Sequence, residues 1–283
     1  MITIQQLNAL PAALKNLPSP RVLVPTMGAL HEGHLTLVKR AREIAGPDGT
    51  VILTLFVNPT QFNKPEDLKN YPRTEERDLA LSKIHGVDLV FAPEAGSMYR
   101  EDSSVTVTEN ALATRLCGAT RPGHFDGVCT VVLKLLNLTQ PDAAVFGKKD
   151  YQQLAVIRRM VRDLNVPVQI EGVETVREPS GLAMSSRNTR LTAAHLSDAP
   201  RIRRALLAAQ SACKTGETSV KTLSTIAKKE IENSESGAEI DYLELLDAKS
   251  LSPIESVTAP AVLATAVFYG DVRLIDNIEL LTI

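Results

Sequence analysis

Two histidines three residues apart, His31 and His34, stand in the stretch Pro25-Thr26-Met27-Gly28-Ala29-Leu30-His31-Glu32-Gly33-His34. At the start of a helix, side chains at that spacing project to one side. Unpaired N–H groups and the positive end of the helix dipole gather at such a start and make it a polyphosphate site. Two imidazoles beside it suit a pentavalent phosphorus and its departing pyrophosphate. Gly28 and Gly33 permit close backbone approach and unusual dihedrals. A lone histidine would read as a cap or a core residue, but the HxGH pair after a strand favours phosphate. Zinc is the weaker rival, because the H-E-x-x-H spacing and a third ligand are both missing.

A second constellation is Met184-Ser185-Ser186-Arg187-Asn188, preceded by Ser180-Gly181-Leu182. It puts two hydroxyls and a guanidinium on a loop at the junction of the two halves of the chain. Arginine presents its donors as a fork that matches phosphate oxygens, and hydroxyls with backbone N–H groups can close around the same anion. By itself a Ser-Ser-Arg triplet is a solvated turn; its meaning comes from the HxGH partner.

These groups must be held by something. From residue 20 to about 175, short apolar runs alternate with helical patterns. Arg21–Pro25, Val51–Val57, Asp88–Phe91 and Asp142–Phe146 read as strands, the second apolar at almost every position, as in a strand covered on both faces. Residues 33–45 and 126–138 carry apolar positions in helical phase. This alternation implies a parallel sheet with right-handed crossovers and a ligand at the carboxyl ends of its strands, at a topological switch point. Beyond residue 176 the texture changes. A helix after Pro200 runs to a C-cap at Gly216, a second begins at Thr218 or Ser219, and Ile240–Leu246, Ala261–Tyr269 and Glu279–Ile283 read as strands. The fold class expected is α/β, a Rossmann-like parallel sheet with helices on both faces plus a smaller C-terminal α+β domain. The expected domains are residues 1–176, carrying the ligand site, and 177–283, covering it.

With 283 residues, 44% of them hydrophobic, the chain has material for a sizeable core, and its net charge of −2 argues against a nucleic-acid partner. Cys117, Cys129 and Cys213 are odd in number and widely spaced, which favours buried thiols over disulfides or a zinc knuckle. No basic-then-apolar leader and no run of about 20 apolar residues is found, so a cytoplasmic location without membrane contact is expected.

Taken together, HxGH and the serine-arginine loop resemble the nucleotidyltransferase superfamily that includes class I aminoacyl-tRNA synthetases. Within it the chain resembles, nearly end to end, the pantoate–β-alanine ligase (pantothenate synthetase) family. Besides Pro25–His34 and Met184–Asn188, the resemblance is carried by Phe56–Phe62, Tyr71–Thr74, Arg121–Phe125 and Phe146–Gln153. It implies ATP-dependent condensation of pantoate with β-alanine through a pantoyl adenylate, with Mg²⁺ accompanying ATP, in a homodimer. It further implies an ATP site made by Met27, Gly28, His31, His34, Gly147, Lys149, Asp150, Val176, Met184, Ser185, Ser186 and Arg187. His34, His31, Lys149 and Arg187 would carry catalysis, His34 as general acid. Gln61 and Gln153 would bind pantoate, Gln61 also meeting β-alanine.

Three positions depart from the family pattern. Lys148 stands where Glu is common, Ser180 where Asp is frequent, and Arg77 where some members carry acidic residues associated with magnesium, leaving Asp78 the acidic residue there. Protein ligands to the metal therefore stay open. His124 divides evenly between a site-lining and a structural role; His85 and His195 read as residues without one. The rival functions are another nucleotidyltransferase with a small acceptor, and a non-catalytic nucleotide sensor. Gln61, Gln153 and the added C-terminal domain speak against the first, and the retained histidines, Lys149 and Arg187 against the second.

Overall fold

The run Val51-Ile52-Leu53 has no polar side because helices leave it no exposed face; all three side chains are fully buried. It lies in β3 (Thr50–Leu55) of a six-stranded sheet whose other members are β1 (Ile2–Ile4), β2 (Arg21–Thr26), β4 (Leu89–Phe91), β5 (Ala143–Gly147) and β6 (Gln169–Val173). The computed structural model describes residues 1–281. Strand order is β1-β4-β3-β2-β5-β6, and every pairing is parallel. The chain therefore leaves β2 in one direction towards β3 and β4, then returns to β2's other side for β5. That reversal is the switch point, and the loops after β2 and β5 flank it.

Helix Glu32–Ala45 follows β2 and lays Leu37, Val38, Ala41 and Ala45 on Val22, Val24, Val51, Leu53, Val90 and Val145. Burial of each large side chain contributes roughly 1.5–3 kcal/mol, so the segment carrying the histidines is anchored along its length. Helix His124–Thr139 packs on β2 and on the turn Pro59–Gln61.

The chain divides into two compact units. The first comprises Met1–Glu109, Arg121–Lys148 and Gln153–Glu174; the second takes Asn110–Thr120, Lys149–Gln152 and the chain from Thr175 onward. In the second unit β7 (Ala238–Asp247), β8 (Ala261–Tyr269) and β9 (Val272–Leu280) form an antiparallel meander. Helices Arg201–Lys214 and Val220–Glu232, the latter capped by Ser219 at its Thr222 N–H, share a core with it.

Three sequence expectations need correction. The last strand, expected over Glu279–Ile283, begins at Val272, directly after the Gly270-Asp271 turn that joins it to β8. Its alternation is masked by Asp276 and Asn277, which are buried because each has a partner, Arg177 and the Lys149 carbonyl. Thr282 and Ile283 lie outside the described residues. Strands β1 and β6 are additions to the expected set: one is three residues long and the other, Gln-Ile-Glu-Gly-Val, is mostly half-exposed at the sheet edge. The segment Phe56–Val57 leaves β3 and leads into the Pro59–Gln61 turn instead.

Candidate active site

The loop after β2 is set by a buried carboxylate. Gly28 (φ +80°) and Ala29 (φ +51°) both occupy the left-handed region, costly for alanine. Asp78, essentially fully buried, accepts from Ala29 N at 2.8 Å and Leu30 N at 2.9 Å, with Thr74 Oγ1 at 3.1 Å. A side chain at Gly28 would meet Asp78 Oδ2 at 3.1 Å, so glycine is needed for space as well as for φ. Asp78 thus shapes the loop, its two oxygens already engaged by backbone and Thr74. Arg77 adds a bond from its guanidinium to Leu30 O at 3.2 Å. Replacing Asp78 by Ala strands two N–H groups and is expected to destabilise the protein by about 2–4 kcal/mol; an unchanged melting temperature would contradict this role.

His31 caps the helix Glu32–Ala45. Its Nδ1 accepts from Gly33 N at 3.1 Å, while His34 Nδ1 accepts from His31 N at 3.4 Å, a reciprocal capping box. With both Nδ1 atoms accepting, each neutral ring carries its proton on Nε2. The rings lie 4.1 Å apart between centroids. Two N–H donors therefore sit at a helix N-terminus, as a polyphosphate requires.

Gln61 lies at the end of the turn after β3. Its Nε2 donates to Met27 Sδ at 3.3 Å, so the amide expected to bind the acid touches the first residue of the expected phosphate loop. Its carbonyl accepts from Arg121 Nη2 at 3.0 Å and from His124 Nδ1 at 2.8 Å. His124, buried, is thereby a support of this turn, whereas His85 binds Leu81 O and His195 stacks near Tyr269. At Gly127 any Cβ would fall 2.6 Å from Thr60 O; the helix can approach the turn this closely only as glycine. Gln153 lies half-buried near the start of helix Tyr151–Asp163, and Gly147 ends β5 beside the switch point. Lys148 pairs with Glu174, so the charge reversal at this position is matched within the same unit.

In the second unit Lys149, Ala183, Ser185 and Asp276 line one recess. Two motifs that lie 36 residues apart in sequence, 185 less 149, are brought together there. Lys149 Nζ stands 3.8 Å from Asp150. The loop carrying Met184–Asn188 is a hairpin: Met184 N donates to Val176 O at 3.0 Å, Glu178 N to Leu182 O at 2.8 Å, and Gly181 turns at φ +92°. Arg177 clamps it, donating to both Asp276 oxygens at 2.7 and 2.9 Å and to Gly181 O at 3.1 Å. Ser185 caps the short helix Ser186–Arg190 through the Arg187 N–H. No motif flagged Arg177 or Asp276; their pairing spans 99 residues, and only the fold reveals it.

Of the expected site residues, the first unit contains Met27, Gly28, His31, His34, Gln61, Gly147 and Gln153, and the second Lys149, Asp150, Val176, Met184, Ser185, Ser186 and Arg187. Among the described residues no cluster of three or more His, Cys, Asp or Glu is placed to hold a metal, and no helix is long and apolar enough to cross a membrane. All three cysteines are buried; burial, with the charges of Glu109 and Asp126, pushes the Cys129 thiol up to about 12.

A profile of the pantoate-beta-alanine ligase family matches residues 1–279. A curated pantothenate synthetase from Akkermansia muciniphila is 53% identical over 259 residues, 92% of each chain. One from Trichlorobacter lovleyi is 48% identical over 274 residues, 97% of this chain and 95% of that protein. Among solved structures, pantothenate synthetase from Thermus thermophilus superposes with a TM-score of 0.92 at 43% identity, covering 98% of this chain and 99% of that one. The pantoate-beta-alanine ligase of Francisella tularensis, complexed with beta-gamma ATP and beta-alanine, gives 0.80 at 33% identity over 98% and 97% of the two chains. A parallel sheet with its histidine pair at the switch point, and a likeness that runs the length of the sequence, lead to one conclusion: the chain belongs to the pantoate–β-alanine ligase family.

Proposed function

We propose that this protein joins pantoate to β-alanine at the expense of ATP. In the first step a pantoate carboxylate oxygen attacks the α-phosphorus, the bond to the bridging oxygen breaks, and pyrophosphate leaves with that electron pair. In the second the neutral β-alanine amine attacks the acyl carbon of the adenylate, AMP departs with the acyl–oxygen electron pair, and the nitrogen loses a proton to give the amide. The observation that supports this reading is the contact between Gln61 and Met27, because the amide proposed to bind the acid then touches the loop proposed to hold the phosphates. The protein's work is alignment and stabilisation of charge on phosphate oxygens.

In this reading Met27, Gly28, His31 and His34 hold the triphosphate, and Gly147, Lys149, Asp150 and Val176 the nucleoside and its phosphates. Met184, Ser185, Ser186 and Arg187 complete the grip, and Gln61 and Gln153 bind pantoate. The working domains are residues 1–176 and 177–283, the second closing over the site to keep water from the mixed anhydride. Mg²⁺ arrives with the triphosphate, held by phosphate and water, because Asp78 is already committed to the loop backbone. A cytoplasmic homodimer completes the proposal.

The test is exchange of label between pyrophosphate and ATP that needs pantoate but not β-alanine. Chelation of Mg²⁺ should abolish it, and light scattering should give twice the chain mass. A folded preparation that makes pantothenate yet shows no such exchange rules out the adenylate; one that forms a stable dinucleotide product favours the other transferase.

A further inference from the structure

The Gln61 amide is nearly symmetric in shape but not in chemistry, since one end accepts and the other donates. Which end faces an incoming acid decides whether it is bound or repelled. In the first unit this choice traces to a carbonyl that has no second orientation. Gly127 O, in the helix His124–Thr139, accepts from Asn58 Nδ2 at 3.1 Å. Asn58 Oδ1 is then the end that accepts from Tyr99 OH at 2.8 Å and from Thr60 Oγ1 at 3.0 Å. The second Nδ2 proton goes to Gln61 Oε1 at 3.0 Å. Gln61 therefore has its oxygen engaged within the protein, while its nitrogen gives one proton to a weak thioether acceptor at 3.3 Å and keeps the other for a ligand.

We propose that Tyr99 is a positioning residue for acid recognition: Gly127 O sets which end of Asn58 faces it, and the Tyr99 hydroxyl, bonded to Asn58 Oδ1, holds that amide in place so that Gln61 presents nitrogen rather than oxygen to the substrate. This rests on the reading of Gln61 as the pantoate-binding amide. The consequence is specificity. An ionised carboxylate only accepts hydrogen bonds, so an outward nitrogen selects it and an outward oxygen would repel it. The backbone of Gln61 is already pinned through its carbonyl by Arg121 and His124, which leaves rotation of the amide as the remaining freedom. Burial raises the Tyr99 phenol above its ordinary range, so it remains a donor across the working pH. Lys134, 5.6 Å from the ring centroid, and Phe56, at 6.4 Å, hold the ring in place.

Tyr99→Phe removes one hydroxyl and keeps the ring. Its KM for pantoate should rise about tenfold, equivalent to about 1.4 kcal/mol, with KM for ATP changed by less than about twofold and the melting temperature nearly unchanged. Asn58→Asp places an acceptor where Gln61 Oε1 now bonds, which forces the amide to turn, and should raise KM for pantoate further still. A pantoate KM unaltered in Tyr99→Phe overturns the inference, as does a parallel rise in both KM values with a lowered melting temperature, the mark of a merely structural role. Wild-type protein without pantoate-dependent exchange would instead defeat the functional reading, and this inference with it.

Discussion

Replacing His34 by alanine is expected to lower pantoate-dependent pyrophosphate exchange by about 10²–10⁴-fold, the range for loss of a general acid or a transition-state donor. The reason lies in how the ring is held. His34 Nδ1 is occupied by the His31 N–H, and the proton is therefore on Nε2. Two conservative changes separate the capping role from the catalytic one. His34→Asn keeps a polar atom where Nδ1 was, and so retains the cap while losing the distal donor. His34→Gln sets an amide near the Nε2 position and so retains a donor, though not an acid. Exchange should follow the order wild type, Gln, Asn, Ala, whereas stability should fall by no more than about 1 kcal/mol, the worth of a cap. Asn equal to wild type would make His34 a structural residue. Lys149→Ala belongs to the same series and should show a comparable loss without a change in melting temperature.

The largest effect on stability is expected at Asp276. Its carboxylate is 3% exposed and takes both arms of Arg177, itself 20% exposed. It also accepts from the Asn277 N–H at 2.8 Å. Asp276→Ala leaves a guanidinium without its counter-charge in a mostly buried place, a change that costs about 3–5 kcal/mol. For a protein of this size the melting temperature should drop by about 10 °C. Arg177 also holds Gly181 O, so the hairpin that carries Ser185 to Arg187 loses its clamp with the pair. Loss of exchange activity should therefore be visible below the melting transition. Replacing both members, Arg177→Met with Asp276→Leu, should recover much of the stability, because an apolar pair needs no charge compensation, but not the activity. A double variant as unstable as the single one would show that packing rather than the ion pair dominates here.

Much of the site was legible because its chemistry is local. HxGH is a helix start, and the reciprocal bonds between His31 and His34 need only residues three apart. The buried strands β2, β3 and β5 announced themselves as apolar runs, since a strand covered on both faces has no polar alternation to confuse it. Gly28 has the positive φ that glycine allows, whereas Gly33, expected to do the same, lies within the helix Glu32–Ala45 and is not among the positive-φ glycines. What stayed hidden was everything that depends on partners far along the chain. Asp78 looked like a remnant of a metal-associated segment, yet it lies 49 residues from Ala29 and serves that residue's N–H. His124 is evenly balanced between two roles until its Nδ1 is placed on the Gln61 carbonyl, 63 residues away.

The sequence alone determined that a parallel sheet forms and which groups are the candidates for the chemistry. Periodicity and capping are written within a few residues of each other, and each is decided by short-range sterics and hydrogen bonding. Only the tertiary structure decided which end of the Gln61 amide Asn58 engages, what Asp78 holds, and why two polar residues lie buried in β9. Those outcomes follow from matching donors to acceptors across long loops. A buried polar group must find a partner wherever the packed chain happens to bring one, and spacing along the sequence does not encode that meeting.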